Sequence, residues 1–429
     1  MKIKQKVAVF LSSETTKNSA TLLSAGVMVQ VIALLIYPII TRLYAPEDFG
    51  LVSLFLSITG ILSLFATAEF QYSIVLPKSE SKAIACFCVG LFITLAVVAM
   101  LVCMLPFSHQ IANIFNAPNL AQWYWSVPVF VFLSGIWTLL NYWYTRHKQF
   151  RSVGRYQITQ SVTNAVSKCA SGYAGMLSGG LILSAIISPF IALCVSIART
   201  FKGDLHSLLS VRKEDCKLVA KEYKNFPKYS LPRALVNSVS RGLPILLLTP
   251  YFGLSEIGYF GMALTLGFSP ITMISNSLYQ VFYQKTAEQV QRRESVRVFL
   301  SKFIKTTLSF IVPGFALLYI ILPDFTELLL GEGWHVSGEY IRIMLVWIGL
   351  TAIASPLSYI PDVFQKQKIG LAFEVILVSV RVIGLAIGIW AQNFTMAIMC
   401  YSIGSAIVIF TQLLWFWSMV TEYEKGIQE

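Results

Sequence analysis

Gln157, Gln160, Ser161, Asn164, Ser167 and Lys168 recur at steps of three and four, the spacing that aligns side chains on one face of an α-helix. The segment is otherwise largely apolar, so it reads as an apolar helix bearing one polar stripe with an ammonium near its end. Amides and hydroxyls can replace water around a polar group, and lysine offers a point charge to an anion. Arg241 and Arg381 are further cations embedded in apolar sequence, and Arg233, Asn237 and Arg241, spaced by four, form a second stripe. Arginine fits phosphate oxygens through its bidentate fork. Binding of an anion is the chemistry these residues offer; the alternatives are an interhelical hydrogen-bond seam for the first stripe and snorkelling to the inner surface for Arg233. Metal chemistry is not expected: His109, His147, His206 and His335 have no ligand spacing, and Cys86 and Cys88, two apart, face different sides of a helix. Most of the seven cysteines lie in apolar stretches, where a thiol behaves as a small hydrophobe.

The elements that position these residues follow from composition. Apolar residues make up 56% of the 429 and charged residues only 13%, which is too little polar surface to coat a globule in water. A bilayer core about 30 Å thick needs roughly 20 helical residues per crossing. Twelve segments qualify as spans: 19–41, 50–70, 83–106, 123–145, 154–175, 178–198, 230–251, 257–283, 300–322, 339–360, 369–390 and 394–418. The fold class is all-α and integral to a membrane.

Lysine and arginine set the orientation. The N-terminal tail carries Lys2, Lys4 and Lys6 ahead of an apolar run too short for a signal-peptide core, and reads as an uncleaved cytoplasmic segment. Cations recur in every second loop, at Lys78 and Lys82, at Arg146 to Arg155, at Arg199 to Lys228, at Lys285 to Lys305, and at Lys366 and Lys368. The intervening loops are nearly bare of them. Both termini are therefore expected in the cytoplasm, and the net charge of +12 reflects loops facing an anionic leaflet rather than nucleic acid.

An internal repeat pairs Arg42–Gly50 after the first span with Pro250–Gly258 after the seventh, each an aromatic turn leading into a helix with an acid in its first turn. With the loop pattern, this divides the chain into a six-helix bundle over 1–198, a basic cytoplasmic linker over 199–229 and a second six-helix bundle over 230–429. Repeated halves are a common transporter plan, with the substrate between them near the midplane.

Depth singles out three cations. Lys168, Arg241 and Arg381 each lie the same distance along a helix from an inner-edge cation (Arg155, Lys228 and Lys368), roughly 20 Å at 1.5 Å per residue. An uncompensated cation at that depth costs at least about 2.5–3.5 kcal/mol. Glu374, two turns from Arg381 on the same span, is the evident acid nearby and the alternative partner for Arg381. Glu69, at the end of the second span near Lys78 and Lys82, reads as a surface ion pair. Trp123, Trp125, Trp334 and Trp390 read as anchors at the outer interface, and Trp143, Trp415 and Trp417 at the inner one. Pro38, Pro128, Pro189, Pro244, Pro270, Pro313 and Pro356 fall within spans, where each removes a helical hydrogen bond.

On these residues the chain resembles the bacterial polysaccharide transporter family, the Wzx-type flippases of the multidrug/oligosaccharidyl-lipid/polysaccharide exporter superfamily. The stretches that carry the resemblance are Arg42–Gly50, Ile74–Ala83, Asn141–Trp143 with Lys148–Phe150, Tyr229–Pro232, Gln280–Lys285 and Gly333–Gly338. Their order and spacing run along nearly the whole chain. The resemblance implies a V-shaped, MATE-like arrangement of two bundles around a cationic lumen in the bacterial inner membrane. It also implies a cargo of undecaprenyl pyrophosphate bearing an oligosaccharide repeat unit of O-antigen, capsule or exopolysaccharide, flipped to the periplasmic leaflet by alternating access. The residues assigned to that cargo are Lys168, Arg241, Arg381, Asn164, Gln160, Gln157, Asn237 and Arg233, the deep cations being placed by depth alone.

A pyrophosphate and its sugars cannot cross hydrocarbon unaided, because unsatisfied polar groups there cost several kcal/mol each. No nucleotide-binding loop is present, so the drive is a coupling ion, H+ or Na+, or removal of the product. No cofactor is expected, and contact with polymerase or chain-length machinery completes the list of partners. Two alternatives stand beside this reading. A drug or metabolite antiporter of the same superfamily would call for central acids to hold cationic drugs, and the deep residues here are basic. A membrane polysaccharide polymerase would need a sizeable outward catalytic loop, and none is present, so an enzyme is not expected.

Overall fold

The computed structural model describes residues 14–201 and 212–428, so Lys2, Lys4, Lys6, Lys202 and His206 lie outside the described residues. Among the described residues every regular element is helical. The long helices are α1 (Glu14–Leu43), α2 (Pro46–Thr67), α3 (Glu80–Cys103), α4 (Ser126–Arg146), α5 (Phe150–Tyr173), α6 (Leu177–Ser196), α7 (Leu231–Leu248), α8 (Leu254–Gln291), α9 (Arg297–Leu330), α10 (His335–Leu357), α11 (Gln367–Trp390) and α12 (Phe394–Gln428). Among the described residues ten helices are long and apolar enough to cross a membrane. The long helices that miss that standard are α5 and α7, which carry the two polar stripes. The chain is an all-helical, multi-pass membrane protein. Outward faces bear apolar side chains such as Phe92, 72% exposed, and Leu328, 78% exposed, as lipid contact requires.

Local chemistry fixes the helix ends. Pro46 opens α2 at its first position, and Asp48 accepts the Ala45 amide at 3.0 Å. Ser79 caps α3 by accepting the Lys82 amide at 3.2 Å. The turn between them, 70–79, is latched by Arg146, which donates to the carbonyls of Ile74 at 3.2 Å and Pro77 at 2.6 Å and pairs with Glu80 at 3.3 Å. The other side of Glu80 meets His147 at 2.9 Å. α9 runs through Pro313 and Pro323 to Leu330, beyond the end expected at 322, and Gly331, with φ 106°, stops it.

Contacts divide the chain into two units, Met1–Ile257 and Gly258–Glu429. In the first, α5 packs against α1 and α6, while α2, α3 and α4 pack together and α7 lies on α2. By contacts, α7 thus goes with the first unit. Ile40, Tyr44 and Leu181 form a buried cluster beneath the α1–α5–α6 junction. In the second unit, α10 packs on α9 and α12, and α11 on α12. Its core gathers Phe282, Leu300, Leu357, Tyr359, Phe416 and Val420. Gly384 and Gly388 let α11 approach the α12 backbone closely: a Cβ on Gly384 would lie 2.9 Å from the Tyr401 amide, and one on Gly388 would overlap Ala397. Small residues at helix crossings are the usual means of tight packing in membranes.

Two sequence expectations are corrected. Trp143 and Trp334 are each 2% exposed and belong to packed interiors rather than to an interfacial belt. Trp143 meets Phe87 edge-on and Trp334 meets Tyr259. Glu69 is buried, and its carboxylate accepts the Gln71 amide at 3.0 Å. Lys82 instead pairs with Glu222 at 3.3 Å, on the helix Lys213–Glu222. The reason is backbone geometry: Ala68 and Glu69 both adopt left-handed conformations after α2, which turn the carboxylate inward.

Candidate functional site

A cavity of about 430 Å³ lies between helices α1 and α5 within the first unit. The α5 wall consists of Gln157, Gln160, Ser161, Asn164 and Lys168. The opposite wall is the α1 face Gly26, Val29, Ala33, Ile36 and Tyr37, with Ser188 of α6 closing one side. The stripe therefore faces a cavity, while Val162, 45% exposed, and Val166, 63% exposed, point outward. Ser167 does not join the walls; its hydroxyl donates to the Thr163 carbonyl at 2.7 Å.

Asn164 both lines the cavity and holds the seam to α6. Its amide donates to the Ser184 carbonyl and to Ser188 Oγ, each at 3.2 Å. Such interhelical bonds are worth about 0.6–2 kcal/mol in membranes. Tyr44 fixes the far end by donating to the Lys168 carbonyl at 2.7 Å and by sharing a hydrogen bond with Ser171 Oγ at 3.1 Å. These bonds seat the α5 backbone, so the polar side chains sit on a braced helix. Among the described residues no carboxylate lines the cavity. Among the described residues the Lys168 ammonium has no ion-pair partner.

Arg233, Asn237 and Arg241 lie on one exposed face of α7. Burial is confined to the later half of the helix, at Ser240, Leu243, Pro244, Ile245 and Leu248, whereas its first two turns are exposed or half-buried. Among the described residues Arg241 also has no ion-pair partner. The buried Glu69 carboxylate lies close enough to Arg233 for the two charges to interact. Glu69 is thus a neighbour of the α7 face that the sequence reading placed elsewhere.

Arg381 belongs to the second unit. It is 9% exposed, its Nε donates to Ser405 Oγ at 3.0 Å, and its guanidinium lies over the rings of Trp347 at 5.3 Å and Tyr401 at 5.2 Å. Glu374 is exposed on the same helix, and the structure does not pair it with Arg381. The aromatic partners come from α10 and α12, which no spacing in α11 could reveal. The structure therefore groups Gln157, Gln160, Asn164 and Lys168 in one cavity, sets Arg233, Asn237 and Arg241 along one face, and seats Arg381 among aromatic rings. The α1 wall, including Tyr37, was missed. Its small and apolar residues carry the helical spacing but no polar signal.

The profile described as polysaccharide biosynthesis protein matches residues 39–339. No curated protein matches the chain in sequence. Among solved structures, an inward-facing multidrug resistance MATE family transporter of the MOP superfamily superposes with a TM-score of 0.70 at 15% identity, over 95% of this chain and 99% of that one. The lipid II flippase MurJ in an inward closed conformation gives 0.69 at 13% identity, over 98% of this chain and 91% of that one. At these identities the likeness establishes the fold, which is the one expected from the sequence. With the profile spanning most of its length, this chain is a member of the polysaccharide biosynthesis protein family built on the MATE-type transporter fold.

Proposed function

We propose that the protein flips a lipid-linked oligosaccharide, a repeat unit on undecaprenyl pyrophosphate, from the cytoplasmic to the periplasmic leaflet of the bacterial inner membrane. The observation that carries this reading is the α1/α5 cavity, whose α5 wall presents amides, a hydroxyl and the Lys168 ammonium opposite a largely apolar α1 face, with no carboxylate among the described lining residues. Such a cavity is compensated by an anion. Gln157, Gln160 and Asn164 replace water around the head group, while Lys168 and Arg241 supply charge to the phosphates. Arg233 and Asn237 extend that surface along α7, and Arg381 supplies the cation of the second bundle. The prenyl chain stays in lipid throughout, so only the head group needs a polar path.

Alternating access needs two halves; the sequence repeat would divide them at the 199–229 linker, whereas contacts group α7 with the first unit. Membership of a polysaccharide biosynthesis family and the fold shared with a lipid II flippase support this cargo class. The likeness to a multidrug transporter raises the drug-antiporter reading, but a basic cavity repels cationic drugs. The test is leaflet accessibility of the repeat unit in cells lacking the protein. Lipid-linked repeat units should accumulate on the inner leaflet and reach the outer one when the wild-type protein is restored, but not with Lys168→Ala. Normal outer-leaflet display without the protein would refute the assignment.

A further inference from the structure

A second concavity, of about 920 Å³, lies within the second unit between the start of α9, the later half of α10 and the end of α12. Ile304, Leu308, Leu350, Ile353, Phe410 and Leu413 make its walls apolar. Its rim is cationic: Arg297, Lys302 and Lys305 all project from the first three turns of α9, with the Ser301 hydroxyl among them. Among the described residues no carboxylate lines it. The neighbouring acid, Glu424, is engaged in capping α9, accepting from Ser295 Oγ at 2.9 Å and from the amides of Val296 at 2.8 Å and Arg297 at 3.0 Å.

The Arg297 guanidinium lies over the Trp417 indole at 5.5 Å. Indole and guanidinium both favour the headgroup level of a bilayer, so this pair marks that level on the helix ends. Lys302 and Lys305 lie about 7.5 and 12 Å further along α9 and can extend their stems back toward that level. A small anion would engage the rim and leave the apolar walls bare. A zwitterionic lipid would cover the walls and offer its phosphate, but its ammonium would bring a further positive charge to a rim that already carries three. Only a molecule with an anionic head and hydrocarbon tails satisfies both parts.

We propose that this groove binds one anionic glycerophospholipid from the leaflet these helix ends face. Its phosphate sits among Arg297, Lys302 and Lys305, and its acyl chains run along Leu308, Leu350, Phe410 and Leu413. The site shares no residue with the α1/α5 cavity and does not depend on the cargo assigned there.

Native mass spectrometry of the purified full-length protein, titrated with phosphatidylglycerol or with phosphatidylcholine of the same acyl chains, tests the assignment. One phosphatidylglycerol should bind at least about tenfold more tightly than phosphatidylcholine. Each cation near a lipid surface contributes about fivefold, so Arg297→Ala/Lys302→Ala/Lys305→Ala should abolish the preference. The charge-preserving variant Arg297→Lys/Lys302→Arg/Lys305→Arg should keep it. Leu413→Trp, which fills the groove and spares the cations, should lower phosphatidylglycerol binding. Equal binding of the two lipids, or unchanged preference in both the triple-alanine and Leu413→Trp proteins, overturns the proposal. Displacement of phosphatidylglycerol by inorganic phosphate at equal concentration overturns it in favour of a free-anion site. Displacement by an equimolar polyprenyl phosphate overturns it in favour of the substrate lipid.

Discussion

The phenol of Tyr44 donates a hydrogen bond to the main-chain carbonyl of Lys168 at 2.7 Å, tying α1 to α5 at the end of the polar cavity. The carbonyl is one that α5 could use within its own ladder, so the bond fixes the relative height of the two helices as well as their contact. Tyr44→Phe removes the donor and keeps the ring. The variant should lose about 1 kcal/mol of stability, seen as a lower unfolding midpoint of the purified protein. An unchanged midpoint would mean the bond does not brace the cavity.

The α5 stripe should be wet. Single cysteines at Gln157, Gln160 and Asn164, in a background without native cysteines, should react with a membrane-impermeant thiol reagent. Cysteines at Val162 and Val166 should react far less, because those side chains point away from the cavity. Labelling of both faces alike, or of neither, would make the stripe a packed seam of the kind Asn164 forms with Ser184 and Ser188.

How much of this was legible in the sequence depended on where the partners come from. The α5 stripe could be read directly, since its residues lie on one helix at helical spacing and differ sharply from their neighbours. The helix positions followed for the same reason, even for α5 and α7, whose polar residues lower their hydropathy. What remained hidden was every relationship between elements. Arg381 looked towards Glu374 because only its own helix was visible, whereas its rings arrive from α10 and α12. Glu69 looked exposed because two left-handed residues at the end of α2 leave no mark in composition. Trp143 looked interfacial by position and is held inside by packing against Phe87.

If the halves divide at the 199–229 linker as proposed, the contact between α2 and α7 should change during transport, because α7 would then open the second half while packing on α2 within the first unit. A Cβ on Gly242 would stand 3.6 Å from the Cβ of Ser57, within the range a disulfide spans. Ser57→Cys/Gly242→Cys should therefore crosslink under mild oxidation, block export of the polymer, and recover it on reduction. Export that continues with the crosslink fully formed would show that this contact is static.

Packing of α11 on α12 should tolerate no side chain at Gly388, whose Cβ would overlap Ala397. Gly388→Ala should already cost about 1–3 kcal/mol by pushing the α12 backbone aside at Ala397, and Gly388→Leu more. Membrane abundance by immunoblot should fall in that order. Wild-type abundance of the leucine variant would show that the two helices are free to separate.

Arg381 tests whether the second unit carries a functional cation or a structural one. Its guanidinium is buried against Trp347 and Tyr401 and bonded to Ser405, so Arg381→Ala removes a charge-assisted bond worth about 1.5–3 kcal/mol and two ring contacts worth about 0.5–2 kcal/mol each. Abundance should fall. Removing Glu374 as well should not restore it, because Glu374 is exposed and does not partner Arg381. The informative variant is Arg381→Lys, which keeps the charge but loses the planar face that stacks on the rings. If the cation also serves the head group, lysine should return abundance to near wild type while export stays reduced by roughly ten- to a hundredfold, the affinity lost with one charge-assisted contact. Lys168→Ala should show the matching split in the first unit, with normal abundance and reduced export, since its ammonium has no ion-pair partner there to lose. Full export by the Lys168→Ala/Arg241→Ala/Arg381→Ala protein, corrected for abundance, would end the reading of these cations as the anion site.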